Sequence, residues 1–246
     1  MDEKEYANAT LDGCLECGTL GMVGDGASPK KYLIGLEAIK NHGGLGIPIF
    51  KPREFNLDII KRFKAAEDAG ALAVGVDIDA ASFKTMSLKG QAVGPKTIDE
   101  LQELKSYLKV PFILKGIMNV ESALSAVEAG ADAIVVSNHG GMVMDHMPGT
   151  AEVLPEISNA VAGRIKVLVD GGIREGIDII KMLALGADAV MIGRPICIAA
   201  FGAGQEGVSF YLQEKVKELK KAMILTGCGS INKIDPSIIF RKKGER

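Results

Sequence analysis

At 246 residues, the chain suits one large domain over its full length, residues 1–246. It is 47% hydrophobic and 24% charged, with a formal net charge of -2 and no basic stripe, so no nucleic-acid partner is expected. No run of ~18 apolar residues occurs and the N-terminus is acidic and polar, so neither a membrane association nor a leader is expected. Cys14, Cys17, Cys197 and Cys228 are too scattered for a disulfide framework, and the expected location is cytoplasmic.

Residues 2–17 read as an amphipathic helix with Tyr6, Ala9, Thr10, Gly13 and Cys17 along one face. Cys14 and Cys17 match C-x-x-C but have no second pair or histidine cluster beside them, so they are expected to face the core and no metal is expected. A short strand at 19–23 runs into the turn Gly24-Asp25-Gly26, and Ser28-Pro29 predicts a serine N-cap with proline in the first helical turn. Regular alternation follows. Strands are predicted at 47–51, 72–78, 111–115, 133–136, 165–169 and 189–192. Helices are predicted near 58–69, 97–108, 120–129, 150–161, 175–185 and 206–225, with a looser segment at 80–96. The basic tail Arg241-Lys242-Lys243 reads as a solvated terminus.

An internal repeat supports this order. Ala69-Gly70-Ala71-Leu72-Ala73-Val74, Ala129-Gly130-Ala131-Asp132-Ala133-Ile134 and Leu185-Gly186-Ala187-Asp188-Ala189-Val190 share one pattern, with a fainter copy at Cys17-Gly18-Thr19-Leu20. In each, a glycine is expected to end a helix in the left-handed conformation, and small residues let the next strand enter the sheet closely. The copies sit 52 to 60 residues apart, so each period holds two βα units. Repeated βα units without a change of strand order predict a TIM (β/α)8-type barrel rather than an open doubly wound sheet. Only seven strands are visible, and the chain opens on a helix where a barrel would have its first strand.

In such a barrel the carboxyl ends of the strands share one face. That face would gather Lys51, Asp77, Asp79, Lys115, Ser137, His139, Asp170, Arg174 and Arg194. The apolar run Ala133-Ile134-Val135-Val136 leads straight into Ser137-Asn138-His139-Gly140-Gly141, which puts a histidine at the end of a buried strand. Two further ends, Asp170-Gly171-Gly172-Ile173-Arg174 and Ile192-Gly193-Arg194-Pro195, set glycine amides and an arginine just before a helix. Free N–H groups at a helix start attract phosphate, and arginine adds a forked contact.

These blocks, together with residues 184–195 (ALGADAVMIGRP) and Thr226-Gly227-Cys228, resemble the FMN-dependent 2-hydroxy acid dehydrogenases and oxidases, the family of glycolate oxidase and lactate oxidase. The resemblance is strongest over residues 110–231 and continues more weakly from residue 5. It implies FMN as cofactor, a homo-oligomer, and oxidation of a small, lactate-like L-2-hydroxy acid to the 2-oxo acid. It implies that His139 is the base that takes the hydroxyl proton, that Asp79 holds its imidazole, and that Lys115 faces the flavin pyrimidine edge. Ser137, Asp170, Gly171, Gly172, Arg174, Gly193 and Arg194 would then hold the cofactor.

The departures from the family pattern concentrate on the substrate. The arginine expected three residues after the histidine is Met142, and the loop 80–96 contains no arginine at all. The glutamine-x-tyrosine pattern appears as Ile49-Phe50-Lys51, and a threonine expected near the flavin pyrimidine edge is Asp77. Lys51 and Met142 are therefore the candidate substrate-binding positions. Two rival readings are an FMN barrel like the type 2 isopentenyl diphosphate isomerases, and a flavin- or phosphate-binding barrel without turnover.

Overall fold

The structure, a computed structural model, describes residues 1–28 and 30–240. Seven parallel strands follow one another in chain order: β1 (Gly21–Gly24), β2 (Gly46–Phe50), β3 (Val74–Asp77), β4 (Phe112–Ile117), β5 (Ala133–Val136), β6 (Lys166–Val169) and β7 (Ala189–Val190). Between and around them run α1 (Glu3–Glu16), α2 (Lys31–Asn41), α3 (Asn56–Asp68), α4 (Lys84–Ser87), α5 (Ile98–Ser106), α6 (Val120–Glu128), α7 (Thr150–Val161), α8 (Gly176–Ala184) and α9 (Arg194–Leu225). This is the βα progression of a TIM barrel with one strand position open between β1 and β7. The repeat glycines behave as their pattern predicts: Gly18, Gly70, Gly130 and Gly186 all have positive φ.

Successive strand residues point to opposite faces, and that parity builds both halves of the core. Phe112 and Leu114 of β4, with Ile134 and Val136 of β5, pack outward against the helices. Ile113 and Val135, with Ile47, Ile49, Ala73 and Ala133, form the inner cluster, with Met22, Leu168 and Met191 against it. Following the inner parity one step toward the carboxyl ends gives Lys51, Asp77, Lys115, Ser137 and Asp170. Polar residues thus cap an apolar interior, and register sets Asp77 directly beside Lys115.

Over the open strand position, α1 lies along α9. Cys14, Ile196, Ala200 and Val208 form a buried cluster there with Tyr6 and Leu212 beside it. A side chain at Gly13 would meet Val208 Cβ at 2.6 Å, so the two helices approach as closely as glycine permits. Of the C-x-x-C pair, Cys14 is buried in this seam and the half-buried Cys17 thiol donates to Ser209 O at 3.3 Å.

Three local expectations need correction. Ser28 does not cap α2: Lys30 occupies the cap with no side-chain hydrogen bond, and the turn closes through Lys31 N donating to Ser28 O. The companion expectation for Pro29, and that for the tail Arg241-Lys242-Lys243, fall outside the described residues. The last long helix begins at Arg194, well before the predicted 206, and a break at Ala203 and Gly204 hides its first turns from periodicity. The segment 80–96 holds α4 and is tied to the end of β2 by the Arg53–Val93 bridge, by Glu54 N donating to Ala92 O and by Gly94 N donating to Pro52 O.

β4 carries a register shift between Lys115 and Ile117, where Gly116 adopts φ 103°. A Cβ at that position would lie 2.5 Å from Asp79 Cβ and Cγ, so the missing side chain is what lets Asp79 sit against the strand. Gly116→Ala is expected to cost about 2–4 kcal/mol, from left-handed strain and overpacking together. Urea unfolding checks this, and an unchanged midpoint would contradict it.

Candidate active site

His139 leaves β5 through a turn that fixes it in an unusual backbone conformation, φ 55°. Non-glycine residues rarely occupy that region, and its strain collects at functional sites. Two hydrogen bonds hold the turn: Ser137 Oγ accepts from His139 N at 3.1 Å, and the Asn138 side chain accepts from Gly141 N at 3.2 Å. The imidazole then meets Asp79, with Nδ1 at 3.1 and 3.2 Å from the two carboxylate oxygens. Asp79 stands on the tight turn after β3, supported by the Gly116 gap. The Phe83 ring, from the 80–96 segment, meets His139 edge-on at 4.9 Å between centroids.

Next to this pair lies a buried ionic cluster. Asp77 accepts from Lys51 Nζ at 2.6 Å on one oxygen and from Lys115 Nζ at 3.2 Å on the other. Lys115 Nζ also donates to Ser137 Oγ at 3.1 Å and lies 3.6 Å from Asp170 Oδ2. Side-chain exposure is 10% for each lysine and 7% for Asp77. Burial alone would raise the Asp77 carboxyl, but Lys115, Lys51 and His139 outweigh it and hold it down at about 2. Asp79 moves the other way, raised by its burial despite the His139 hydrogen bond, with the Asp77 charge adding to the rise. For Lys115, burial works against the charged form, and the neighbouring Asp77, Asp170 and Asp79 more than offset it.

A cavity of about 670 Å³ runs from the open strand position up to Lys51, Asp77, Lys115, His139 and Asp170. A second, of about 220 Å³, continues from Lys115 and His139 past Met142 to Gly171, Gly172, Arg174, Gly193 and Arg194. Every candidate site residue named from the sequence therefore lines one of these two spaces or, for Asp79 and Ser137, holds a residue that does. Met142 is 68% exposed and stands at the outer rim, away from the Lys51–Asp77 pair. The Arg174 guanidinium donates to Ile173 O, while Arg194 lies beside Gly140.

Three features escaped the sequence reading. Asp77 is the hub that joins Lys51 to Lys115, which only register reveals. Phe83 lies in a segment without clear periodicity, yet it touches both His139 and Lys51, whose Nζ is 5.0 Å above its ring. The side chain of Asp25, fully buried past β1, accepts from Arg53 Nη2 at 2.6 Å and from Lys51 N at 3.2 Å, locking the ends of β1 and β2 together.

The polar end of the mouth suits a phosphorylated, hydroxyl-rich cofactor. Asp170 Oδ1 is buried without a hydrogen-bond partner, a free acceptor for a sugar-alcohol hydroxyl. Gly172 and Gly193 have open space where a side chain would stand, leaving their amides approachable beside two arginines.

Fold and site together define a TIM-type barrel whose mouth suits a phosphorylated cofactor. A sequence profile described as FMN-dependent dehydrogenase matches residues 81–241. A peroxisomal (S)-2-hydroxyacid oxidase of Arabidopsis thaliana is 35% identical over 236 residues, covering 82% of this chain and 64% of that protein. An L-lactate oxidase of Nostoc sp. is 50% identical over 143 residues, 58% of this chain and 39% of its own length. The mouse 2-hydroxyacid oxidase 1 is 33% identical, with 94% of this chain and 72% of that protein covered. Among solved structures, mandelate oxidase with benzoyl-formic acid superposes with a TM-score of 0.79 at 34% identity, over 95% of this chain and 72% of its own. A mandelate oxidase carrying an FMN adduct gives a TM-score of 0.75 at 33% identity, over 95% of this chain and 72% of its own. The chain belongs to the FMN-dependent dehydrogenase family, whose cofactor is FMN.

The Asp77 shift gives a pH test. A carboxyl held below its unfolded value, about 3.9, adds stability that is complete above that value and is lost as pH falls toward about 2. Asp77→Asn is therefore expected to melt below the parent at pH 7, with the gap narrowing between pH 4 and 2. A gap that does not change with pH would contradict the ion-pair assignment.

Proposed function

We propose that this chain, with FMN in the mouth, oxidises a small, lactate-like L-2-hydroxy acid to the 2-oxo acid. The observation that carries this reading is the His139–Asp79 pair at the end of β5, next to a buried lysine and a space able to take a planar ring system. Relatives named (S)-2-hydroxyacid oxidase and L-lactate oxidase support it.

In this mechanism Asp79 accepts a hydrogen bond from His139 Nδ1–H, which fixes the tautomer and leaves Nε2 as the basic nitrogen. Nε2 takes the proton from the substrate hydroxyl, and Asp79 stabilises the resulting imidazolium. Bound FMN supplies the ring that accepts the hydride equivalent from the same carbon. Lys115 provides a fixed positive charge toward the pyrimidine edge of that ring, without reorganisation during the reaction. Asp170, Gly171 and Gly172 would hold the ribityl chain, and Arg174, Gly193 and Arg194 the phosphate. Lys51 and Met142 remain the proposed substrate-side contacts, Lys51 at the inner end and Met142 at the rim.

His139→Gln keeps the volume and removes the base. Anaerobic mixing with 2-hydroxy substrates is expected to show FMN binding close to the parent and flavin reduction slowed by roughly 10²–10⁴-fold. Reduction at the parental rate would show that His139 is not the base.

A further inference from the structure

We propose that Asp77 holds down the electron affinity of bound FMN by offsetting the Lys115 charge, and that Lys51 sets how far it does so. Asp77 is in this sense a positioning residue that acts through Lys115. The step rests on the cofactor orientation proposed above, with Lys115 at the pyrimidine edge of the ring.

Adding electrons to the ring, or a nucleophile at its N5, puts negative charge on that edge, at N1 and the C2 oxygen. A fixed cation there favours the charged form. What counts is the field that Lys115 has left after its neighbours, and three anions stand around it. Asp77 Oδ1 accepts from its Nζ at 3.2 Å, Asp170 Oδ2 lies 3.6 Å away, and Asp79 is near enough to favour the ammonium form. Asp79 is engaged by His139, and Asp170 keeps a free oxygen for the ribityl chain. Asp77 is the anion hydrogen-bonded to Lys115 and paired with it in register, and its neighbours hold it ionised. Where the family pattern has a neutral threonine, this chain sets a carboxylate beside the flavin-facing lysine.

Lys51 grades the effect. Its Nζ lies 2.6 Å from the other Asp77 oxygen, closer than Lys115 Nζ lies to the first, so one carboxylate is divided between two ammonium groups. All three side chains are buried, so water screens these charges little. Neutralising Asp77 leaves Lys115 charged, because Asp170 and Asp79 still offset its burial, and the ring then meets an undiluted cation. Removing the Lys51 charge does the opposite. Lys115 and His139 still keep Asp77 ionised, and its charge turns wholly to Lys115. Variants at Asp77 and Lys51 therefore shift the flavin in opposite directions, which loss of packing alone does not do.

Sulfite is the probe. Its sulfur lone pair forms a bond to N5 of the oxidised ring, the N5=C4a pair moves to N1 and the C2 oxygen, and no electron leaves the adduct. Absorbance titration of the FMN-loaded protein with sulfite at pH 8 reads the affinity, and the midpoint potential of the bound flavin is measured beside it. Asp77→Asn and Asp77→Thr are expected to bind sulfite roughly tenfold or more tightly than the parent, Lys51→Met roughly tenfold more weakly, and Asp77→Glu close to the parent. The potential is expected to follow, up in the first two and down in Lys51→Met, by about 30 mV for each tenfold. In a Lys115→Met background, Asp77→Asn is expected to lose most of its effect on the potential. Unchanged sulfite affinity and potential in Asp77→Asn and Asp77→Thr would overturn this proposal while leaving the oxidative function standing. An undiminished effect of Asp77→Asn without Lys115 would overturn the route through that lysine. Sulfite binding insensitive to Lys115→Met would overturn the cofactor orientation, and this inference with it. Should the Asp77 variants fail to fold, Lys51→Met decides: weaker sulfite binding supports the proposal, and unchanged or tighter binding overturns it.

Discussion

Burying two ammonium groups at the top of an apolar barrel interior is costly unless an anion lies between them, and Asp77 is that anion. Lys51, Asp77 and Lys115 come from three adjacent strands, so the ion pairs also tie β2, β3 and β4 at their carboxyl ends. The consequences spread outward. Lys115 reaches Ser137, whose hydroxyl positions the His139 amide, and the imidazole in turn rests on Asp79. The base, its orienting carboxylate and the buried cation are held by one connected network on rigid strands. Only Phe83 comes from a longer segment, and that segment is stapled back to β2.

Much of this was legible from alternation alone. An apolar strand that ends in a polar residue of inward parity must place it over the barrel interior, which is why Lys51, Lys115, Ser137 and Asp170 could be placed without coordinates. The glycine-ended repeats likewise marked where each helix stops. What escaped was pairing. Asp77 could be placed on the shared face with the other strand-end residues, but its being shared by two lysines is a matter of register between strands. Asp25 looked like an ordinary turn residue, since its partners Arg53 and Arg62 lie a strand and a helix away. The first turns of α9 escaped because the Ala203–Gly204 break interrupts the helical period.

The open strand position shapes the site as well as the fold. β1 pairs only with β2 and β7 only with β6, so the inner cavity is continuous with the seam that α1 and α9 cover from outside. Where a closed barrel would seal its interior with a further strand, here Tyr6, Cys14 and Cys197 line the same space as Lys115 and His139. The phosphate-facing loops follow β6 and β7, and Gly193 after β7 borders this space as well as the glycine-rich end of the mouth.

In the proposed binding mode this mouth holds FMN with its phosphate at the Gly171–Arg174 and Gly193–Arg194 end. Fluorescence titration of the chain with FMN and, under the same conditions, with riboflavin tests it most directly, because the two ligands differ only in the phosphate. One FMN is expected to bind per chain, roughly tenfold or more tightly than riboflavin, as charge-assisted contacts to a phosphate imply. Equal affinities, or no quenching by either ligand, would contradict it.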